Sequence, residues 1–170
     1  MDYDYKETTL FGITMKFIST KTYKDLGPVA YRQWRADSHC NQIHGYSLSF
    51  HFEFETDKLD ARNWVMDFGG LRPLKSQLED WFDHTLLVAK DDPQKDDLIA
   101  LGKKGLAKVV EVDKTGCEGI ADFLYEYINT IFLKDYQEHN RVWCCKVEVR
   151  ETESNMAMRV GHKEDNEFAE

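Results

Sequence analysis

The chain has 170 residues, of which 42% are hydrophobic and 13% aromatic. This composition is enough for one domain with a sizeable core and excludes a mainly disordered chain. Lys and Arg total 22 against 31 Asp and Glu, which gives a formal net charge of -9 at pH 7. Because an acidic surface repels a phosphate backbone, this charge argues against a protein that reads nucleic acid through basic patches.

The chain shows no targeting or membrane segment in its sequence. No apolar run reaches the roughly 18 residues of a membrane span, and the first ten residues lack the apolar centre of a signal peptide. The four cysteines have no regular spacing, which is typical of thiols in a reducing compartment. We therefore expect a cytoplasmic protein that contacts neither membrane nor nucleic acid. One domain is predicted over residues 13–160, with flexible ends at 1–12 and 161–170.

In chain order, the first half of the sequence predicts two strands and one helix. Residues 14–23 and 45–55 alternate with a period of two, and the second segment places Leu48, Phe50, Phe52 and Phe54 on one face. By the same period, His44 and Tyr46 are expected to share that face. Asp67 is a predicted N-cap, followed by apolar residues at helical spacing as far as Phe82.

The second half predicts the remaining elements. A charged helix is expected between residues 93 and 103, and Thr115-x-x-Glu118 has the pattern of a capping box at the start of a longer helix. Residues 142–151 alternate, with Trp143, Cys145, Val147, Val149 and Glu151 on one face, and 156–160 is expected to pair with them. We predict an α+β fold, with an antiparallel four-stranded sheet and two main helices on one face.

Three groups of polar residues could carry chemistry. His44 lies at the start of a strand, where it is either a satisfied core histidine or a ligand. Asp83 could orient His84 as a general base, although polar residues at a helix end are usually only solvated. Glu151 ends an apolar strand face, where it is either an edge residue or a bidentate acceptor for an amidine-like ligand.

Taken in order, these residues resemble the family of 6-pyruvoyltetrahydropterin synthase and 6-carboxytetrahydropterin synthase. The resemblance covers roughly residues 13 to 158. The motifs that carry it are Cys40-x-x-x-His44-Gly45, Trp64-Val65-Met66-Asp67-Phe68, Phe82-Asp83-His84, Gly116-Cys117-Glu118 and Val147-Glu148-Val149-Arg150-Glu151. None of the five is specific by itself, but five in the right order are hard to obtain by chance.

The resemblance implies a fold, an assembly and a reaction. Members have the tunnelling fold (T-fold) and form trimeric rings that pair into hexamers. The bacterial branch converts 7,8-dihydroneopterin triphosphate to 6-carboxytetrahydropterin, with release of acetaldehyde and triphosphate, on the way to queuosine and other 7-deazaguanines. We therefore expect a pterin triphosphate as the small-molecule partner and a homo-oligomer, either a trimer or a hexamer.

The resemblance also implies a role for individual residues. Cys40 would be the general base, and the Asp83 and His84 pair would complete the proton relay. Glu151 would grip the amino and N3 groups of the pterin, with Cys117 and Glu118 beside the substrate. Arg32 and Arg35 precede the cysteine loop and could hold the triphosphate, or could be ordinary surface arginines.

The family's zinc site is altered in this sequence. Members bind Zn²⁺ with three histidines, but Lys21 stands at the first position and Tyr46 at the third, which leaves His44. Because a catalytic zinc takes three protein ligands, either His39, Cys40 or Tyr46 is recruited or the metal is lost. Lys21 could supply a positive charge in its place, which would lower the pKa of Tyr46 and favour the thiolate of Cys40.

Two functions from different classes follow. The leading hypothesis is a pterin-forming lyase of the 6-carboxytetrahydropterin synthase type, because the relay of Cys40, Asp83 and His84 is retained. The alternative is a pterin-binding paralogue that has lost the metal and catalysis, which Lys21 and Tyr46 favour.

Overall fold

The computed structural model describes residues 9–10, 13–14, 16–136 and 140–165. The strands are β1 (Thr9–Leu10), β2 (Ile13–Thr14), β3 (Phe17–Tyr23), β4 (Val29–Tyr31), β5 (His44–Tyr46), β6 (Ser49–Thr56), β7 (Thr85–Ala89), β8 (Lys108–Val112), β9 (Trp143–Arg150) and β10 (Met156–Val160). The helices are α1 (Arg72–Phe82), α2 (Lys95–Lys103), α3 (Cys117–Tyr127) and α4 (Leu133–Asp135), with a π-helical segment, Ile128–Phe132, between the last two.

The main sheet is the predicted antiparallel sheet of four strands, in the order β10-β9-β6-β3. Its core face carries Phe50, Phe52 and Phe54, which are fully buried as their alternation predicts. Phe50 pairs with Val149 and Phe52 with Val147, so that β6 and β9 share one apolar face. The predicted α+β class and the central strands of this fold are therefore confirmed.

The face predicted for the start of β9 is wrong because the ladder is irregular there. The register shifts between Glu53 and Phe54, so that Cys144 instead of Cys145 lies opposite Phe54. A bulge inserts one residue and reverses the alternation beyond it. Cys144 is consequently in the core, whereas Cys145 leaves the row of Val147 and Val149.

The two main helices pack against each other over this sheet. Trp81 of α1 contacts Phe123 and Tyr127 of α3, with ring centroids 4.9 and 4.7 Å apart. The π-helical segment is tied to β9 by the buried Asn129, whose amide nitrogen donates to the Cys144 carbonyl and whose amide oxygen accepts from the Cys144 N–H. The prediction of two main helices on one face is confirmed.

The two predicted helix starts have different outcomes. Asp67 Oδ1 accepts the Gly69 N–H at 2.8 Å and caps a short 3-10 turn that leads into α1, as predicted. The capping box at Thr115 is wrong, because Thr115 Oγ1 donates to the Arg32 carbonyl at 2.8 Å and Gly116 occupies the N-cap position. The Thr115 hydroxyl therefore makes a tertiary hydrogen bond in place of the helix cap that the local pattern predicts.

The sequence did not predict a second sheet, whose strand order is β5-β4-β7-β8. Strand β7 is parallel to both β4 and β8, and α2 connects β7 to β8. All five residues of β7 are buried, so the strand has no alternation by which it could be recognised. The helix expected between residues 93 and 103 is confirmed as α2 within this unit.

The predicted strand 45–55 is divided between the two sheets. His44 and Tyr46 belong to β5, in the second sheet, whereas the phenylalanines belong to β6, in the main sheet. The expectation that His44 and Tyr46 share the phenylalanine face is therefore wrong, because the chain leaves one sheet before it enters the other. This change of sheet places the polar residues of β5 at the boundary between the two sheets.

The predicted flexible ends lie partly outside the described residues, which include 161–165. Within that part, the Gly161 N–H donates to the Cys145 carbonyl at 3.0 Å, and His162 Nδ1 is 2.9 Å from the buried carboxylate of Glu55. Lys16 Nζ lies 2.9 Å from Glu55 Oε1 and 2.8 Å from Glu164 Oε2, so it forms an ion pair with both carboxylates. Among the described helices, none is long and apolar enough to cross a membrane.

Candidate functional site

Three aromatic rings form the centre of the candidate site, on the adjacent strands β4 and β5. Tyr31 and His44 are paired across these strands. The ring centroid of Tyr31 lies 5.7 Å from that of His44 and 5.8 Å from that of Tyr46, and the last two are 5.3 Å apart. Tyr31 is fully buried beneath the two half-buried rings.

Glu151 joins this group from the end of β9. Its Oε1 accepts a hydrogen bond of 2.5 Å from the Tyr31 hydroxyl. Its backbone N–H donates to the Asn155 carbonyl in the turn that leads to β10. Burial, and then the hydrogen bond to Glu151, raise the pKa of Tyr31 far above its usual range, so Tyr31 remains a donor at neutral pH.

Cys117 lies beside the same carboxylate, in the first turn of α3. Burial raises the pKa of its thiol to about 12, and the negative charges of Glu151 and Glu118 act in the same direction. The thiol is therefore protonated at neutral pH. Two neutral groups, the Tyr31 hydroxyl and the Cys117 thiol, therefore lie next to the Glu151 carboxylate.

Tyr46 lies close enough to Glu151 and Cys40 for both to act on it electrostatically. Burial raises the pKa of Tyr46, and the negative charge of Glu151 acts in the same direction. Five residues predicted from the sequence are therefore brought together with Tyr31. We call these six residues the Glu151 cluster. Its members are Tyr31, Cys40, His44, Tyr46, Cys117 and Glu151.

The loop that carries Cys40 is held by backbone contacts. Cys40 lies in a 3-10 turn, His39–Asn41, where its N–H donates to Ser38 Oγ and its carbonyl accepts from the Gln33 N–H at 2.8 Å. His39 is exposed on this turn. His44 Nδ1 lies 2.7 Å from the Gln42 carbonyl oxygen, which orients the imidazole. Cys40 is half-buried on this braced turn and lies close enough to Tyr46 to act on its pKa.

Lys21 is not among the charged groups that act on Tyr46. Its Nζ lies 5.3 Å from the ring centroid of Tyr23, on the edge strand β3, where Lys21 pairs with Phe52. The predicted lowering of the Tyr46 pKa by Lys21 is wrong, because burial and nearby acidic groups raise that pKa. The proposed catalytic role of Lys21 stays a prediction.

Asp83 and His84 form the predicted pair, with Asp83 Oδ1 2.5 Å from His84 Nδ1. The pair follows α1, His84 is exposed at a positive φ of 52°, and Asp83 lies against Gly27. Within the described ranges, no hydrogen bond or ion pair joins this pair to Cys40. Asp83 and His84 are thus in contact with each other, and their part in a proton relay with Cys40 stays a prediction.

Both predicted triphosphate ligands are engaged in ion pairs. Arg32 Nε lies 3.0 Å from the buried Asp92 Oδ2, and Arg35 lies 2.8 Å from Asp91 Oδ2. The Arg35 guanidinium also stacks on the Trp34 ring at 4.0 Å from its centroid. A triphosphate would have to compete with these aspartates, and the role of the arginines stays a prediction.

The donor set does not fit the three-histidine zinc site of the resemblance. Only His44 of the three positions is a histidine, and the described residues contain no group of three or more His, Cys, Asp or Glu placed to hold a metal ion. A lysine and a tyrosine provide neither the imidazole nitrogen nor the thiolate that zinc prefers. We therefore derive no chemical step through zinc.

Two cavities lie outside the Glu151 cluster. One, of about 380 Å³, is lined by apolar residues that include Phe17, Trp64 and Phe68. The other, of about 410 Å³, lies on the polar face of the main sheet beside His51 and Arg150. Neither is lined by Cys40 or Glu151, so neither cavity belongs to the Glu151 cluster.

Tyr31 is the member of the Glu151 cluster that the sequence did not indicate. Its strand has three residues, too few for a periodic pattern, and it follows Gly27 and Pro28. The one available signal was its position ahead of the cysteine loop. Its contact with Glu151 joins residues 120 positions apart in the chain.

The model of the 6-pyruvoyl tetrahydropterin synthase family matches residues 28–161. No curated protein sequence is similar to the chain at a significant level. Among solved structures, an uncharacterized protein from Wolinella succinogenes has a TM-score of 0.74 at 19% identity, with 88% of this chain and 100% of that chain covered.

Two synthases share the fold at low sequence identity. A catalytic-residue mutant of the Plasmodium vivax 6-pyruvoyltetrahydropterin synthase has a TM-score of 0.59 at 12% identity, with 84% of this chain and 97% of that chain covered. The Caenorhabditis elegans 6-pyruvoyl tetrahydropterin synthase has a TM-score of 0.55 at 16% identity, with 87% and 96% covered. At these identities the structures show a common fold, which is the T-fold predicted from the sequence. The family match over residues 28–161 shows that the chain belongs to the 6-pyruvoyl tetrahydropterin synthase family, whose members are pterin-related lyases.

Proposed function

We propose that the protein is a pterin-forming lyase of the 6-carboxytetrahydropterin synthase type. Its substrate would be 7,8-dihydroneopterin triphosphate or a related dihydropterin, in 7-deazaguanine (queuosine-type) or pterin biosynthesis. The observation that carries the proposal is the Glu151 carboxylate, which accepts a hydrogen bond from Tyr31 and lies close to Cys117 and Tyr46.

The carboxylate suits the ring edge of a pterin. A pterin presents neighbouring N–H donors from its amino group and N3, and an ionised carboxylate can accept two parallel N–H bonds. Glu151 is half-buried, so such bonds would form where water competes weakly. Charged hydrogen bonds of this kind contribute about 2–3 kcal/mol to binding.

Proton transfer is assigned to Cys40 and to the Asp83–His84 dyad. Removing a proton from a carbon next to a carbonyl needs a base whose pKa lies near neutrality, and a thiolate is such a base. Asp83 holds His84 through its short Nδ1 contact, which leaves Nε2 for exchange of a proton. We place the substrate side chain towards Cys40, with the pterin ring held at Glu151.

A second candidate is a pterin-binding paralogue without catalysis. Lys21 and Tyr46 at two former histidine positions favour this alternative, since they remove the donors of the family's metal. A binder would need Glu151 but would have no use for Cys40, Asp83 or His84. Retention of these three residues is why we propose the enzyme first.

The proposed role of Glu151 in pterin binding is tested by Glu151→Gln. The matched control is Glu153→Gln, which changes an exposed side chain two residues away. We expect Glu151→Gln to weaken binding of 7,8-dihydroneopterin triphosphate by about ten- to a hundredfold, because the amide removes the charge and one acceptor. Titration calorimetry measures the affinity, and Glu153→Gln should match the wild type. Equal affinities for both variants would show that Glu151 is only an edge residue.

The two candidate functions are separated by product analysis on the wild type. An enzyme releases acetaldehyde and triphosphate from 7,8-dihydroneopterin triphosphate, and the Cys40→Ser variant should not. Tight binding without release of either product would favour the paralogue. Metal content by elemental analysis of the same preparation shows whether zinc is present in stoichiometric amount.

A further inference from the structure

We propose that Tyr31 is a positioning residue for the ligand-binding carboxylate of Glu151. Through its hydrogen bond to Oε1, Tyr31 would fix the carboxylate so that its remaining lone pairs face the ligand. The inference rests on the proposed function for the identity of the ligand, a pterin. It adds a role for a buried residue that does not itself contact the ligand.

Tyr31 is placed rigidly enough for this role. Its side chain is fully buried, and its strand lies between β5 and β7 in the second sheet. The rings of His44 and Tyr46 pack against it on one side. A donor on such a support holds its acceptor within a narrow range of positions, as a preorganised binding site requires.

The lone-pair sites of the Glu151 carboxylate are divided between buried protein groups and the ligand. An ionised carboxylate offers about four lone-pair sites. The Tyr31 hydroxyl occupies one of them at 2.5 Å, and the neutral thiol of Cys117 lies next to the same group. The remaining sites match a ligand with two parallel N–H donors, so the hydrogen bond from Tyr31 sets which side of the carboxylate stays available.

The hydrogen-bond acceptor of Tyr31 argues that this residue does more than stabilise the fold. Another buried tyrosine of the main core, Tyr23, satisfies its hydroxyl with the Leu71 backbone carbonyl at 2.9 Å. A backbone carbonyl is sufficient when a hydroxyl only needs a partner. Tyr31 instead uses a half-buried side-chain carboxylate at the cluster that the proposed function identifies as the ligand site.

The test compares Tyr31→Phe with Tyr23→Phe, which also removes one hydroxyl from a buried tyrosine. Titration with 7,8-dihydroneopterin triphosphate should show binding weakened about three- to tenfold in Tyr31→Phe, because the freed carboxylate must be ordered on binding. Tyr23→Phe should bind as the wild type does. In a Glu151→Gln background, Tyr31→Phe should have little further effect, since the two residues act as a unit.

The outcomes separate this inference from the proposed function. If Glu151→Gln weakens binding and Tyr31→Phe does not, or if the two effects simply add, the positioning role is overturned and the pterin function stands. If the wild type binds no pterin, the proposed function fails first.

A measurement without ligand tests the hydrogen bond between Tyr31 and Glu151 directly. A short O–H···O⁻ bond gives a far-downfield hydroxyl proton resonance, which we expect in the wild type and in Tyr23→Phe. Glu151→Gln should abolish that resonance, and this comparison does not depend on the folding of Tyr31→Phe. A resonance unchanged by Glu151→Gln would overturn the proposal.

Discussion

The four thiols of the chain differ in their access to solvent, and this gives a first prediction at the scale of single residues. Cys40 is half-buried, whereas Cys117, Cys144 and Cys145 are buried. Burial raises the pKa of Cys117 and of Cys145 to about 12, so the thiolate fraction of each at pH 8 is about one part in ten thousand. Thiolate is the form that alkylating reagents attack.

We therefore expect iodoacetamide at pH 8 to label the folded protein at Cys40 before any other cysteine. Peptide mass spectrometry locates the label, and Cys40→Ser should stay unlabelled until denaturant is added. Modification at Cys40 should also abolish turnover, because the proposed base is consumed. Early labelling of Cys117 would show that the first turn of α3 opens in solution.

Lys21 is the subject of a second prediction at this scale. If its ammonium stabilises charge that develops on the substrate, Lys21→Met should lower turnover by about a hundredfold, as loss of one preorganised electrostatic group does. The matched control is Lys24→Met, an exposed lysine three residues further along. Equal activity of both variants would show that Lys21 has no catalytic role and only packs on the Tyr23 ring. Stoichiometric zinc in the wild type would contradict the replacement of the metal by lysine.

At the scale of secondary-structure elements, the Asp83–His84 dyad depends on a glycine in the loop between β3 and β4. Gly27 has a φ of 110°, and a Cβ at this position would overlap Asp83 Oδ1. A side chain here would have to displace the carboxylate of Asp83. The loop before β4 and the dyad after α1 are therefore packed as one unit.

We expect Gly27→Ala to destabilise the protein and to lower turnover together. The matched control is Gly105→Ala, at a φ of 71° with no atom within 4 Å of the added Cβ, which should cost only the backbone strain of about 1–2 kcal/mol. Urea denaturation measures the free energy of unfolding of both variants. If Gly27→Ala costs no more than Gly105→Ala and keeps full activity, the close approach to Asp83 has no functional weight.

At the scale of the whole molecule, the main sheet ends in two edge strands that pair with no further strand among the described residues. The edge strand β10 exposes Met156, Met158 and Val160, and the other edge strand, β3, exposes Phe17 and Ile18. Unpaired strands with apolar residues favour pairing with another chain. This agrees with the homo-oligomer expected from the sequence, a trimer or a hexamer.

Light scattering should therefore find a multiple of the 19.9 kDa chain at micromolar concentration. Met158→Lys places a charge on the edge strand and should shift the protein towards smaller species. Leu106→Lys, at an exposed apolar residue outside the strands, should not. A stable wild-type monomer would contradict the prediction.

Local patterns determined the main sheet and helices because these elements bury a regular face of their own. The alternation of Phe50, Phe52 and Phe54 predicted β6, and the side chain of Asp67 marked the start of the first helix. The phase of β9 also placed Glu151 in line with Val147 and Val149, beyond the bulge. Five of the six residues of the Glu151 cluster were named from sequence motifs.

The second sheet and the environment of Glu151 were decided by the tertiary structure alone. Strands β4 and β5 have three residues each and β7 is buried throughout, so none of the three has a periodic pattern to detect. Their stability comes from neighbouring strands, which are distant in the chain. The same holds for the contact of Tyr31 with Glu151 and for the ion pairs of Arg32 and Arg35, because a side chain's partner is set by which strands and loops meet in space.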